Sequence, residues 1–511
     1  MQCGNAVFAA VMHKLANDRR NSLIAALPLL KLLKLAQAFE QATVVIELKI
    51  YLGLCDVYAV IIIAAHDCRN QHFVCLAVLD YGNGVLSGGD YVLYFRFCRY
   101  LNAADVKVCD AIMGSGKTQA AIVEMDRCVD RRYMFITPYL NECERVCAAC
   151  EKRGFQQPQT AEGSKLESLH SLLKSGINIA STHALFYYYS KETRELIRQG
   201  HYHLILDEVV DTVKLLDINK NDVKSLLASD FIEIDPETTQ VTWKDKRYNG
   251  QWQELRQQIE RGYVTYSQDK LLLWMMPIEV FEAFESVTIL TYMFEGQYLY
   301  CYCQLNDIAI DYIGVQHVDG LNYEFTDKRV ATRITLPTIH LYSGHKLNAI
   351  GDDRLALSHS WFSKSDPKLI RKLANNTVNF FRHKCDAPAT YRFWSAPSAF
   401  KDALRRKGFQ SPQSFVPHNA RAVNAYRHCY ALAYLINIFP NPKIVSYFKS
   451  YSIQFNNDAL ATSTMVQWLW RSRLRCGQEI WLYLPSSRMR KLLYKWVKDV
   501  TGNVDCIDEW E

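Results

Sequence analysis

Two short stretches carry residue types whose spacing does chemistry: Gly114-Ser115-Gly116-Lys117-Thr118, and Asp207-Glu208 some ninety residues later. A glycine-rich turn lets successive backbone N–H groups converge on clustered negative charge. Gly114 and Gly116 tolerate dihedrals and a close approach that a side chain would block. If the turn opens a helix, the helix dipole adds to the attraction for an anion. Lys117 then reaches the β- and γ-phosphates of a nucleoside triphosphate, and the Thr118 hydroxyl binds Mg²⁺. The loop starts at Ala111, where the motif usually has a glycine. Of the two carboxylates, Asp207 is assigned to the Mg²⁺ shell and Glu208 to orienting or deprotonating the attacking water. A lone Gly-x-Gly-Lys-Thr is compatible with an ordinary surface turn. A strand-end Asp-Glu at this distance tells against that reading.

The flanks supply the elements such a site needs. Val106-Lys107-Val108 is a short β-branched run before the loop, and Gln119 to Met125 reads as a helix after it. His203-Leu204-Ile205-Leu206 is an apolar run of the kind expected for a buried parallel strand. It places Asp207 and Glu208 at its end, where open α/β sheets bind ligands. From about 106 to 300, apolar strands alternate with helical segments, which predicts a parallel sheet with crossover helices. Within this region, about 212–280 reads as a more polar and helical insertion, with charges through Gln253 to Arg261. The stretch 301–335 reads as strands and turns, a linker region. A second α/β domain follows over 336–511, opening on Ile339 to Tyr342 and holding a helix from Asp366 to His383.

The 511 residues allow roughly three or four domains. The 49% hydrophobic and 22% charged content is that of a globular protein. A net charge of +6 permits nucleic-acid binding without demonstrating it. Basic residues cluster at Arg405-Arg406-Lys407, Arg471 to Arg475 and Arg488 to Lys495, in the half that also holds Trp468, Trp470, Trp481 and Trp496. Such tryptophans are read first as core and only secondarily as base-stacking platforms. No apolar stretch reaches the length of a membrane-spanning helix, and no signal peptide is evident, so the sixteen cysteines are expected as reduced thiols. Cys143, Cys147 and Cys150 share a helix face but lack a fourth metal ligand, and Cys301-x-Cys303 has strand spacing, so inert thiols are expected at both.

Further stretches fall into the order of a known family. The chain resembles superfamily 2 helicases of the DEAD/DEAH type, in particular those of bacteriophages and prophages, from about Val106 to about Trp496. Phe135-Ile136-Thr137-Pro138-Tyr139 looks like motif Ia, and Ser181 to Phe186 like the Thr-His segment that follows it. The resemblance implies nucleic-acid contacts for Thr137, Pro138, Thr182 and His183; taken alone, Thr182 is a helix N-cap. Leu290 to Phe294 stands where motif III couples hydrolysis to domain movement, with Tyr292 and Met293 departing from the Ser/Thr-Ala-Thr form. Pro417 to Asn424 resembles motif V and implies contacts from Asn419 and Arg421. Gln467 to Arg475 resembles motif VI, whose form is Gln followed by arginines four and seven places on. Arg471 matches the first. Position 474 is leucine, so the second is Arg473 or Arg475, with Arg475 preferred.

The resemblance implies an α/β fold of two RecA-like P-loop domains, each a parallel sheet flanked by helices. It further implies ATP and Mg²⁺ as cofactors, with Gly114, Ser115, Gly116, Lys117, Thr118 and Asp207 binding the nucleotide. Lys117, Glu208, Gln467, Arg471 and Arg475 are expected to act in catalysis, Arg471 as an arginine finger from the second domain. The expected activity is ATP-dependent helicase action in phage or prophage replication or recombination, in the cytoplasm of a bacterial host. DNA is the expected partner over RNA, with replication proteins as further partners and no membrane. The alternatives are a translocase or remodelling ATPase that does not separate strands, and a nucleotide-binding replication scaffold. Residues 1–105 lie outside the resemblance; they hold an apolar helical run, Leu23 to Ala36, and β-rich runs at Val44 to Leu48 and Val57 to Ala64. An accessory domain and a misassigned start are the two readings of this segment, the second being favoured.

Overall fold

The computed structural model describes residues 42–46, 62–67, 72–78 and 94–99, and 105–511 apart from 161–162, 237, 268–270, 321, 330–332, 406–413 and 420–423. The chain divides into two units, 1–104 and 105–511. In the first, β1 (Ala42–Ile46), β2 (Ile62–Asp67), β3 (His72–Val78) and β4 (Tyr94–Arg99) pair antiparallel in sequence order. The β-rich runs overlap β1 and β2, whereas the Leu23 to Ala36 run lies outside the described residues.

The second unit is α/β and holds two mainly parallel sheets. The chain lays down β5 (Asp105–Asp110), β6 (Arg132–Thr137), β7 (Ile179–Thr182) and β8 (Tyr202–Asp207). It then leaves for a subdomain with β9 (Val213–Leu215), β10 (Ile232–Ile234), β11 (Val241–Trp243), β12 (Val264–Ser267) and β13 (Leu271–Met275). It returns through β14 (Ser286–Thr291), β15 (Ile310–Asp319) and β16 (Asn322–Thr326). The first large sheet has the order β16-β15-β5-β14-β8-β6-β7, parallel except for the β15–β16 hairpin. Its strands are apolar on both faces because helices cover both. Cys109, Phe135, Ile205 and Leu290 pack with Ala120, Ala121 and Met125 of the helix Lys117–Arg127.

The second sheet runs β18-β19-β20-β17-β21 and is wholly parallel: β17 (Ile339–Tyr342), β18 (Arg392–Ser395), β19 (Ala431–Tyr434), β20 (Ile480–Tyr483) and β21 (Ile507–Trp510). One face packs on the helices Asn457–Leu469 and Ser487–Thr501 through Met465, Trp468, Leu493 and Trp496. The other packs on Pro367–Asn379 through Ile370, Leu373 and Ala374. That helix starts where Asp366 accepts the Lys368 N–H and Pro367 takes the first turn, where its missing N–H costs nothing.

Two boundaries differ from the sequence reading. Residues 301–335 are not a linker throughout: Cys301 and Cys303 lie in the helix Tyr298–Leu305, not on a strand, and β15 pairs with β5, extending the first sheet. Short polar-apolar alternation at a sheet edge looks like a connection when read alone. The 212–280 insertion is not mainly helical. It holds the helices Lys220–Ala228 and Gln253–Glu260, a three-stranded β12-β13-β9 sheet and a β10–β11 pair. A core of its own, with Val223, Leu226, Leu255, Ile259 and Leu272, stabilises it.

The two sheets' domains meet where the turn Phe294–Gly296 packs on the start of the helix Asn457–Leu469. A Cβ on Gly296 would lie 2.6 Å from the backbone of Ala459 and Leu460. Gly296→Ala must therefore push this seam apart. The expected cost is about 1–3 kcal/mol of stability, read from denaturant unfolding of the purified chain.

Candidate active site

β5 ends at Asp110, and the chain turns through residues 111–116 into the helix Lys117–Arg127. Gly114 and Gly116 hold φ of +80° and +91°, left-handed values that explain why glycine stands at both. Lys117 folds back so that Nζ donates to the carbonyls of Ala111 at 2.5 Å and Ile112 at 3.0 Å. Burial pulls Lys117 below the usual lysine range, while Glu208, Cys109, Asp207 and Asp110 act to keep its charge. The Ser115 Oγ is buried with no hydrogen-bond partner among the described residues. An unpaired buried hydroxyl is costly, and an oxygen-rich ligand in the loop would satisfy it.

Asp207 closes β8 beside this loop. Its Oδ1 accepts from Thr118 Oγ1 at 3.1 Å and its Oδ2 from Thr137 Oγ1 at 3.2 Å, while His183 Nε2 lies 3.1 Å from its carbonyl. Burial first, and then the neighbouring Glu208, push Asp207 up to about 6 against those two hydroxyl hydrogen bonds. A hydroxyl and a carboxylate held together in this way are hard oxygen donors of the kind that suit Mg²⁺. Glu208 follows with φ of +63°, a strained value for a residue with a Cβ, fixed by its N–H donating to Leu290 O at 2.9 Å. Met293, beyond the end of the adjacent β14, has φ of +54°.

A cavity of about 510 Å³ takes its lining from both domains. Gly114, Gly116, Lys117, Thr118, Asp207 and Glu208 come from the first sheet's domain, and Gln467, Trp470, Arg471 and Arg475 from the second. Arg471 is 8% exposed, and its charge acts on the buried Tyr434 of β19. Of the two arginines left open by the sequence, Arg475 lines this cavity. Arg473 instead lies over the rings of Tyr430 and Trp481, at 4.8 and 5.4 Å. Trp468 and Trp496 are core, Trp481 stacks on His340, and Trp470 lines the cavity.

The residues expected to touch nucleic acid are placed differently from one another. Thr137 is fully buried with its hydroxyl on Asp207, and His183 is 6% exposed with its ring on the Asp207 carbonyl. Thr137 therefore faces the Asp207 carboxylate and His183 its backbone carbonyl, rather than the surface. The motif spacing locates these residues but leaves open which way their side chains turn. Pro138 lines the cavity. Thr182 sits at the N-cap of His183–Phe186 without a side-chain capping bond. Asn419 is exposed, and Arg421 lies outside the described residues. Burial pushes the neighbouring His418 down to about 4. Cys143 and Cys150 are buried thiols, pushed up to about 12 and about 11 by that burial.

Three residues escaped the sequence reading. Asp110 accepts the N–H groups of Met293 at 2.7 Å and Phe294 at 3.2 Å, and pairs with Arg329 at 2.6 Å. The signal was available: an acidic residue at the end of the strand directly before the loop. Tyr323 of β16 lies against Gly116, where a Cβ would come within 2.2 Å of its ring, and Arg127 holds the hairpin through Glu324 and Asn322. It stood in the segment read as linker and gave no signal. Ser463 ties the two halves, donating to Tyr292 O at 3.1 Å and accepting from Gln467 Nε2 at 3.2 Å. Tyr292 also accepts from Trp496 Nε1 at 2.7 Å, so the departure at this position makes a domain contact. Asp110→Ala leaves two N–H groups and Arg329 without their acceptor. The expected loss is about 2–3 kcal/mol in chemical denaturation.

Residues 334–497 match the family described as the YonV C-terminal Rossmann-like domain, and residues 213–274 the YonV middle domain, which coincides with the inserted subdomain. A curated relative, the "SPbeta prophage-derived uncharacterized protein YonV" of Bacillus subtilis (strain 168), is 36% identical over 412 residues, 77% of this chain and 99% of the relative. Among solved structures, one titled "XPD_APO" covers 80% of this chain and 97% of its own, at 12% identity and a TM-score of 0.45. Another, Xpd4 of S. tokodaii, covers 80% and 96%, at 7% identity and a TM-score of 0.40. On the extent and identity of the curated match, this chain belongs to the YonV family.

Proposed function

We propose that this chain is an ATP-driven motor on nucleic acid, a superfamily 2 helicase of the DEAD/DEAH type serving prophage replication or recombination in its bacterial host. One observation carries the reading: Lys117, Thr118, Asp207 and Glu208 share a cavity with Gln467, Arg471 and Arg475 of the other domain. A phosphate loop alone serves many nucleotide-binding proteins. A basic side chain brought to it from a second α/β domain suits a site that works by closing.

In this reading the loop N–H groups and Lys117 hold the phosphates. Thr118 and Asp207 hold Mg²⁺, which would neutralise charge on the β- and γ-phosphates. Glu208, fixed at the end of its strand, orients the water and draws its proton. Arg471 and Arg475 place guanidinium charge on the γ-phosphoryl group, and Gln467, on the helix that leads into them, donates to Ser463 at the domain contact. The contacts of Tyr292 with Ser463 and Trp496 link the strand end beside the nucleotide to the second domain, so hydrolysis can be coupled to relative movement. Strand binding then rests mainly on phosphate contacts.

ATPase rates of the purified chain with single-stranded DNA, duplex DNA and RNA test this directly. Stimulation by at least one is expected; stimulation by none would leave a nucleotide-binding scaffold. Lys117→Ala should abolish turnover, and full activity in that variant would refute the site. Unwinding of a tailed duplex, measured beside hydrolysis, distinguishes a helicase from a translocase that leaves strands paired.

The three arginines of this stretch separate cleanly. Arg471→Ala should lower kcat about 10³-fold, and Arg475→Ala should lower it as well. Arg473→Ala, at a side chain stacked away from the cavity, should leave kcat near the parent value.

A further inference from the structure

A second cavity, of about 960 Å³, shares no lining residue with the first. It lies where three parts of the second unit converge: the helix Lys191–Gln199, the inserted subdomain through Thr242, Trp243 and Thr265, and Tyr447 of the helix Pro442–Ser450. Arg194 lines it and is only 7% exposed. Its Nη1 is buried without a hydrogen-bond partner, and no carboxylate among the described residues pairs with it. A guanidinium N–H removed from water with no acceptor is disfavoured unless an anion completes the site.

Beyond Arg194 the lining carries Lys191, Arg198 and Arg261 together with Glu195, Glu260 and Glu279. Lys191 and Arg261 are also lining cations without a carboxylate partner among the described residues; Arg261 rests on the ring of Tyr188 at 5.3 Å. Of the lining carboxylates, Glu195 is engaged by Arg198 at 3.1 Å and Glu260 by Arg256 at 2.8 Å. Glu279 also lines the cavity. The planar fork of an arginine matches the oxygens of a phosphate group, and such charge-assisted pairs are the strong ones.

We propose that this cavity is a phosphate-binding site, in which Arg194 receives one phosphate group and Lys191 and Arg261 supply the surrounding positive field. The chemistry is shared by the backbone of a nucleic-acid strand and by a free phosphate. The site does not rest on the ATPase reading, because none of its residues lines the nucleotide cavity.

The test uses the full chain with two probes: inorganic phosphate in thermal unfolding at matched ionic strength, and a short fluorescein-labelled single-stranded DNA in anisotropy. Phosphate should raise the Tm of the parent protein. Arg194→Met keeps the apolar stem and removes the charge. It should unfold at a higher temperature than the parent without phosphate, and should lose the phosphate response. If a strand is the natural source, the same variant binds the DNA about tenfold more weakly, and its log–log salt slope falls by about one. Arg261→Ala, at a side chain held by an aromatic ring, should fold normally and weaken the responding probe about threefold. A response of the phosphate probe alone assigns a free phosphate. A response of the DNA probe assigns a strand. The proposal is overturned if neither probe responds to either substitution, or if Arg194→Met neither raises the Tm nor changes binding. ATPase activity without nucleic acid should be unchanged in both variants.

Discussion

The Asp207 carboxylate sits half-buried at the end of a strand, and elements of the first domain converge on it. Burial and Glu208 both act against its charge, so the groups that touch it must offset a real penalty. They come from separate elements, Thr118 from the helix after the glycine-rich loop and Thr137 from the end of β6, while His183, after β7, meets the backbone carbonyl of the same residue. The parallel sheet makes this possible. β5, β6, β7 and β8 all end on the same edge, so residues distant in sequence reach one carboxylate without a long loop. Lys117, drawn down in pKa by the same burial, completes a compact set of charges.

A second constraint is the seam between the two domains. Tyr292 and the Phe294–Gly296 turn connect β14 to the helix that carries Gln467, so the seam and the site share residues. Asp110 fixes the near side of this seam by accepting the N–H groups of Met293 and Phe294, which lets Met293 hold its left-handed backbone. Glu208 and Met293, at neighbouring strand ends, are both held in backbone conformations that cost energy. Strain of this kind persists where surrounding contacts over-determine it, and such positions cluster at functional sites. The packing of Gly296 on Ala459 leaves little slack, so movement at this strand end would be passed to the second domain rather than absorbed.

The local features were legible because they are written in consecutive residues. Gly114 to Thr118 specify their turn by dihedral need, and His203 to Asp207 specify a buried strand ending in a carboxylate. The alternation of such runs predicted the α/β fold. Less was legible where an element depends on its neighbour. β15 and β16 read as a connection because an edge hairpin lacks a long apolar run, and its identity as sheet comes from pairing with β5. The inserted subdomain read as helical because its strands are only three to five residues long.

Sequence by itself determined that a glycine-rich loop, a strand-end carboxylate pair and a distant arginine-rich stretch exist, and in what order. Only the tertiary structure decided which of these meet. It turned Thr137 and His183 inward onto Asp207, brought Arg475 rather than Arg473 to the shared cavity, laid Tyr323 on Gly116, and left Arg194 Nη1 buried without a hydrogen-bond partner among the described residues. The physical reason is range. Backbone preference and hydrophobic period act over a few residues and survive in the linear text. The direction a side chain takes, and the charge that faces it, are set by elements that arrive from elsewhere in the chain.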